Sequence, residues 1–107
     1  MKFHVRLVAE AEKDLHDIYS YVVVNDSPGK ADALLDNIEL TCGTLAYFPQ
    51  KGHVPPELKR IGVAQYREIH FKPYRVAYEI IGNAVYVHAI LDGRRDLQSL
   101  FEQRLLR

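Results

Sequence analysis

Residues Tyr66 to Asp96, YREIHFKPYRVAYEIIGNAVYVHAILDGRRD, constrain this chain more than any other stretch. Breaks at Lys72-Pro73 and Gly82-Asn83 divide it into three short runs rich in Val, Ile and Tyr, the residue types that suit a pleated, half-buried surface. Gly-Asn between two such runs predicts a two-residue hairpin turn, because glycine readily supplies the positive φ that the turn needs. A three-stranded antiparallel meander follows. Side chains alternate between the faces of a strand. The alternation predicts one apolar face from Ile69, Phe71, Val76, Tyr78, Ile80, Val85, Val87, Ala89 and Leu91. It predicts a polar face from Glu68, His70, Arg75, Glu79, Tyr86 and His88. The apolar face needs a cover, and the polar face is a candidate for binding or catalysis.

The cover is expected from the first half. Lys2 to Val8 alternates as a strand that joins the meander. Ala11, Leu15, Ile18, Tyr19 and Val22 then recur at helical spacing, with Glu10, Glu12, Asp14 and Asp17 on a solvated face, to a stop near Asn25. Asp26-Ser27-Pro28 starts a second helix, since a capping side chain precedes a proline at the first helical position. Its stripe of Ala31, Leu34, Leu35, Ile38, Cys42 and Leu45 extends to about Tyr47. Residues 49–65 hold three of the five prolines and two of the six glycines, and are predicted to be a loop. After the meander, Leu97, Leu100, Phe101 and Leu105 return to helical spacing. The predicted order is β-α-α-β-β-β-α, an α+β domain with a helical hairpin on a small antiparallel sheet.

At 107 residues and 48% hydrophobic content, the chain supports one domain, residues 1–107, with a single core. Its formal net charge is zero but unevenly spread. Residues 1–50 hold 4 Lys/Arg and 8 Asp/Glu, and residues 51–107 hold 10 and 6. That asymmetry predicts an acidic or phosphate-bearing partner for the second half. A neutral chain is a poor nonspecific binder of nucleic acid, whose affinity comes mainly from phosphate neutralisation. Cys42, the single cysteine, excludes an intrachain disulfide and is expected to be a small core residue. No apolar run reaches the ~18 residues of a membrane span, and no leader pattern opens the chain, so a cytoplasmic location is expected. No glycine-rich phosphate loop or CxxC pair is present, and no cofactor or metal is expected.

Several motifs occur in a fixed order: Ala11, Glu12, Asp14, Leu15, Ile18, Tyr19 and Tyr21 in the first helix; Phe48-Pro49 and Gly52 in the loop; Tyr74-Arg75-Val76-Ala77-Tyr78; and Ile90-Leu91-Asp92-Gly93-Arg94-Arg95-Asp96. Together they resemble the RelE/ParE toxin superfamily over nearly the whole chain. The resemblance implies the toxin of a bacterial toxin–antitoxin pair, partnered by a small antitoxin, with a homodimer or an antitoxin heterotetramer as its assembly. RelE-like members are ribosome-dependent mRNA endonucleases. Such cleavage needs a base for the 2′-hydroxyl, a cation at the phosphate and an acid for the leaving oxygen. ParE-like members poison DNA gyrase by binding. Arg75 matches the arginine that the nucleases aim at the scissile phosphate, and Arg94 or Arg95 matches a basic position ending the last strand. Phe101, however, stands where a catalytic tyrosine is expected, and Asp96 and Leu97 stand where other relatives carry a His-Tyr pair. Lys51 and Lys59 are sparse beside a nuclease's basic surface. The ParE-like branch is therefore favoured. A nuclease, or a non-toxic interaction module on the same fold, is the alternative.

Candidate site residues follow. A nuclease would use Arg75, Arg95 and His88. Target contact would involve Arg75, Arg94, Arg95, Glu68 and His70, against the plainer reading of Arg75 as a cross-strand partner of Glu68 or Glu79 and of Arg94-Arg95 as a capping turn between Asp92 and Asp96. His70 and His88 would form an acid/base pair or stay hydrogen-bonded apart, and a metal site with His4 is the weakest option. Leu97, Leu100, Phe101 and Arg104, with a basic end at Arg107, would meet the antitoxin or else fold back onto the domain.

Overall fold

The computed structural model describes residues 2–104. Strand β1 (His4–Leu7) leads into α1 (Ala9–Asn25) and α2 (Pro28–Gly43), which a 3₁₀ turn at Thr44–Ala46 extends. A four-residue helix α3 (Pro56–Lys59) interrupts the loop. Strands β2 (Tyr66–Phe71), β3 (Tyr74–Ile81) and β4 (Ala84–Asp92) precede α4 (Leu97–Arg104). The turn chemistry is as the residues dictate: Ser27 accepts the Lys30 N–H at 3.1 Å with Pro28 behind it, and Gly82 turns the β3–β4 hairpin at φ +60°.

Sheet order is β1-β4-β3-β2, with the meander antiparallel and β1 parallel to β4, so the sheet is mixed. The helical hairpin covers one face. Ala11, Leu15, Ile38, Cys42 and Leu45 pack there against Ile69, Val76, Tyr78, Val85, Val87 and Ile90. Burial pushes the Cys42 thiol up to about 11. The native protein is therefore expected to resist alkylation by iodoacetamide near neutral pH and to react once unfolded, since the thiolate is the nucleophile.

The opposite face differs from the sequence expectation. Val76 pairs with Ile90, Ala77 with Ala89, but Tyr78 with Val87, which leaves His88 as an extra residue in a bulge. A bulge shifts every later side chain to the other face. Ile90 therefore joins Val85 and Val87 under the hairpin. Ala89 and Leu91, expected on that side, point the other way and meet Ala77, Leu58, Tyr66, Leu97, Leu100 and Phe101. The predicted polar face is thus largely a second core, roofed by α3 and α4, and the domain has three layers.

Two polar links hold α4 down. Arg104 donates to both Asp14 oxygens at 2.9 and 2.7 Å and to the His88 carbonyl at 3.2 Å. Asp14 also accepts the Ile90 N–H at 3.0 Å, beyond the point where β1 stops pairing with β4. Asp14 is thus a partly buried anchor and not part of a solvated face. At the other end, Asp96 caps the helix by accepting the Gln98 and Ser99 N–H groups, and Glu57 accepts the Leu97 N–H at 3.1 Å. Leu105 and Arg107 lie outside the described residues.

Candidate functional site

The polar groups that escape the second core gather where β2, the loop before α3 and the β2–β3 turn meet. The cross-strand pair His70↔Arg75 places Arg75 beside Glu68, whose carboxylate accepts the Arg75 Nε–H at 2.6 Å. Glu57, the second residue of α3, accepts the two terminal nitrogens in a fork at 2.8 and 2.9 Å, and the Arg95 carbonyl takes a further N–H at 3.2 Å. All three side chains are nearly enclosed, and among the described residues no buried side-chain polar atom lacks a partner. The Arg75 hydrogen bonds, outweighing desolvation, hold the Glu57 carboxyl down at about 2, and Glu57 and Glu68 raise the guanidinium's pKa further.

Around Glu68 stand two histidines. His53 Nε2 is 3.1 Å from one carboxylate oxygen and His70 Nε2 is 3.4 Å from the other, with the rings stacked at 5.6 Å between centroids. His53 is held in place by its backbone, which exchanges two hydrogen bonds with Glu68. The preceding turn is held by the Tyr78 hydroxyl, which donates to the Pro49 carbonyl at 2.6 Å and accepts the Gly52 N–H at 3.0 Å. A Cβ on Gly52 would lie 2.5 Å from that hydroxyl and 2.6 Å from the Glu68 carbonyl. Gly52→Ala is expected to cost about 1–3 kcal/mol of stability, read from urea unfolding.

His53, His70, Lys72, Arg75, Glu57 and Glu68 line one cavity of about 460 Å³. His53 was not anticipated, because a loop histidine between glycine and valine carries no local signal of the strand it pairs with. Glu57 was missed for a similar reason.

The remaining candidates divide. Arg75 and Glu68, expected at a target surface, are buried partners of each other, the plainer of the two readings. His88 does not meet His70. It pairs with Glu79 at 3.0 Å and abuts the Tyr66 ring. With His4 on the far edge strand, the three histidines have separate surroundings, and among the described residues no cluster of three or more ligands is arranged for a metal. Arg94 bends back onto Asp92 at 3.1 Å, as a capping turn would, while Asp96 caps α4 and does not neutralise Arg95. Both arginines stay exposed. Leu97, Leu100 and Phe101 are filled into the second core, with the Phe101 ring edge-on to Tyr66 at 4.8 Å, and Arg104 is committed to Asp14. Of the two placements open for α4, the structure has the closed one.

This arrangement can be set beside known proteins. The family model described as "ParE toxin of type II toxin-antitoxin system, parDE" matches residues 5–97. The chain belongs to the ParE toxin family. Toxin ParE3 of Caulobacter vibrioides is 34% identical over 84 residues, spanning 78% of this chain and 80% of that one. Among solved structures, a chain of the chromosomal ParDE toxin–antitoxin system from Pseudomonas aeruginosa superposes with a TM-score of 0.72 at 20% identity, covering 85% of this chain and 96% of its own. A chain of the RelBE2 toxin–antitoxin complex from Mycobacterium tuberculosis gives 0.60 at 21% identity, covering 86% and 99%. The RelE/ParE fold expected from the motif order is the fold found. No helix among the described residues is long and apolar enough to cross a membrane.

Proposed function

We propose that this ParE-family chain is the toxin of a toxin–antitoxin module and blocks DNA gyrase by binding it, without bond chemistry of its own. One observation carries the reading. Arg75, the cation that phosphodiester cleavage would require, spends four N–H donors on Glu57, Glu68 and a backbone carbonyl. Phe101, at the position of the nucleases' tyrosine, has no hydroxyl and is enclosed. Target contact then falls to exposed groups: Arg94 and Arg95 at the β4 exit and His70 at the end of β2.

A cognate antitoxin fits a different surface from α4. Leu40, Tyr47 and Phe48, each more than 60% exposed, cluster where α2 ends, and two of them line a cavity of about 730 Å³. Contiguous exposed apolar groups of this kind mark protein contacts. Solved relatives include toxin–antitoxin complexes, which supports such a partner.

Induction of the chain alone, with pulse-labelling of new DNA and new protein in one culture, separates the readings. The proposal predicts that DNA synthesis falls first. Arrest of protein synthesis within minutes, with DNA synthesis continuing, would favour the ribosome-dependent nuclease. Normal growth with the folded protein present would leave the non-toxic module.

A further inference from the structure

We infer that the cavity bounded by His53, His70 and Lys72 binds a phosphate group. Three features select that ligand. The two imidazoles are pre-oriented: Glu68 faces Nε2 of both rings, so in each ring the nitrogen left for a ligand is Nδ1. His53 and His70 arise on separate segments, clamped together by the Glu68 bridge, and Lys72 adds an ammonium from the β2–β3 turn. Two imidazoles and an ammonium around one cavity suit an anion with several acceptor oxygens, as a phosphate has. A cation is disfavoured, because the Glu68 oxygen nearest His70 is also the one that Arg75 holds at 2.6 Å, and Lys72 adds a second positive charge.

Charge counting makes the binding proton-linked. Glu57 from α3 and Glu68 from β2 are offset by Arg75 from β3 and Lys72 from the turn, and Tyr74 from β3 completes the wall. With neutral imidazoles the cluster sums to zero, and the single N–H of His53 is used inward on Glu68. Protonation brings the sum to +2 and supplies each ring with a second N–H at Nδ1. Phosphate and protons are therefore taken up together. The phosphate could come from a free nucleotide or a nucleic-acid backbone. The inference does not depend on gyrase being the target.

The test is an NMR titration of the full chain with inorganic phosphate, following the Cε1–H signals of His53 and His70. Saturable shifts of both rings are expected, with the affinity rising as protons are added to the rings. His53→Gln and His70→Gln, at exposed side chains, should weaken binding roughly 10- to 100-fold, the loss of a hydrogen bond to a charged group. Lys72→Met should weaken it without altering the melting temperature. Parallel titrations with a nucleoside monophosphate and a short single-stranded oligonucleotide identify the source, since tighter binding of the oligonucleotide points to a strand backbone. Absence of saturation by any of the three, undiminished binding in the folded variants, or ring shifts produced by Zn²⁺ alone would overturn the inference.

Discussion

Arg75→Ala is expected to lower the unfolding free energy by about 3–5 kcal/mol, because it leaves two buried carboxylates without their counter-charge. Domains of this size hold only about 5–15 kcal/mol in total, so the variant should melt far below the parent. The cost belongs to the orphaned charges and not to the ion pair as such. Replacing Arg75, Glu57 and Glu68 together by apolar residues of similar volume should therefore cost less than Arg75→Ala alone. Loss of toxicity in Arg75→Ala would then report unfolding and not chemistry. The same network fixes an acid limit. The Glu57 carboxyl titrates at about 2 in the fold against 4.5 for the free group. Its contribution is fully present above about pH 4.5 and is lost as pH falls through about 2, by an amount on the order of 3 kcal/mol. Urea midpoints measured between about pH 6 and pH 2 should fall steeply, and the fall should be shallower in Glu57→Gln.

Phe101→Ala should cost a further 3–5 kcal/mol or so, the usual penalty for emptying a buried aromatic site. The ring is fully enclosed between Tyr66 and the α4 leucines, so its removal opens the second core where the roof meets the sheet. Thermal unfolding should show the loss directly. A near-neutral result would mean that α4 does not rest on the sheet in solution, and the apolar stripe of α4 would again be available to a partner. Phe101→Tyr is the useful companion. The position is enclosed, so the added hydroxyl should overpack it, costing stability and bringing no nuclease activity.

Most of the fold was legible because its signals are local. Alternation gave β2 and β3, Ser27-Pro28 set the start of α2, and Gly82-Asn83 marked the hairpin. The faces were legible only as far as His88. One extra residue there reverses the parity of Ala89 to Leu91, and nothing in AVYVHAIL distinguishes a bulged strand from a regular one. That single slip adds Ala89 and Leu91 to the core that Tyr66 and Ala77 already form beneath α4. The site was less legible, since its partners are far apart in sequence. Arg75 and Glu68 lie seven positions apart across a hairpin, and that pairing was foreseen. Glu57 and His53 reach them from a proline-rich loop whose path is set by Tyr78 and Gly52.

We propose that this ParE-family chain acts by occupying a target and not by cutting RNA. Supercoiling of relaxed plasmid by purified gyrase, with increasing amounts of the purified chain, tests it most directly. Dose-dependent inhibition is expected, with ribosome-bound mRNA left intact by the same preparation. Unimpaired supercoiling together with cleavage of that mRNA would contradict it.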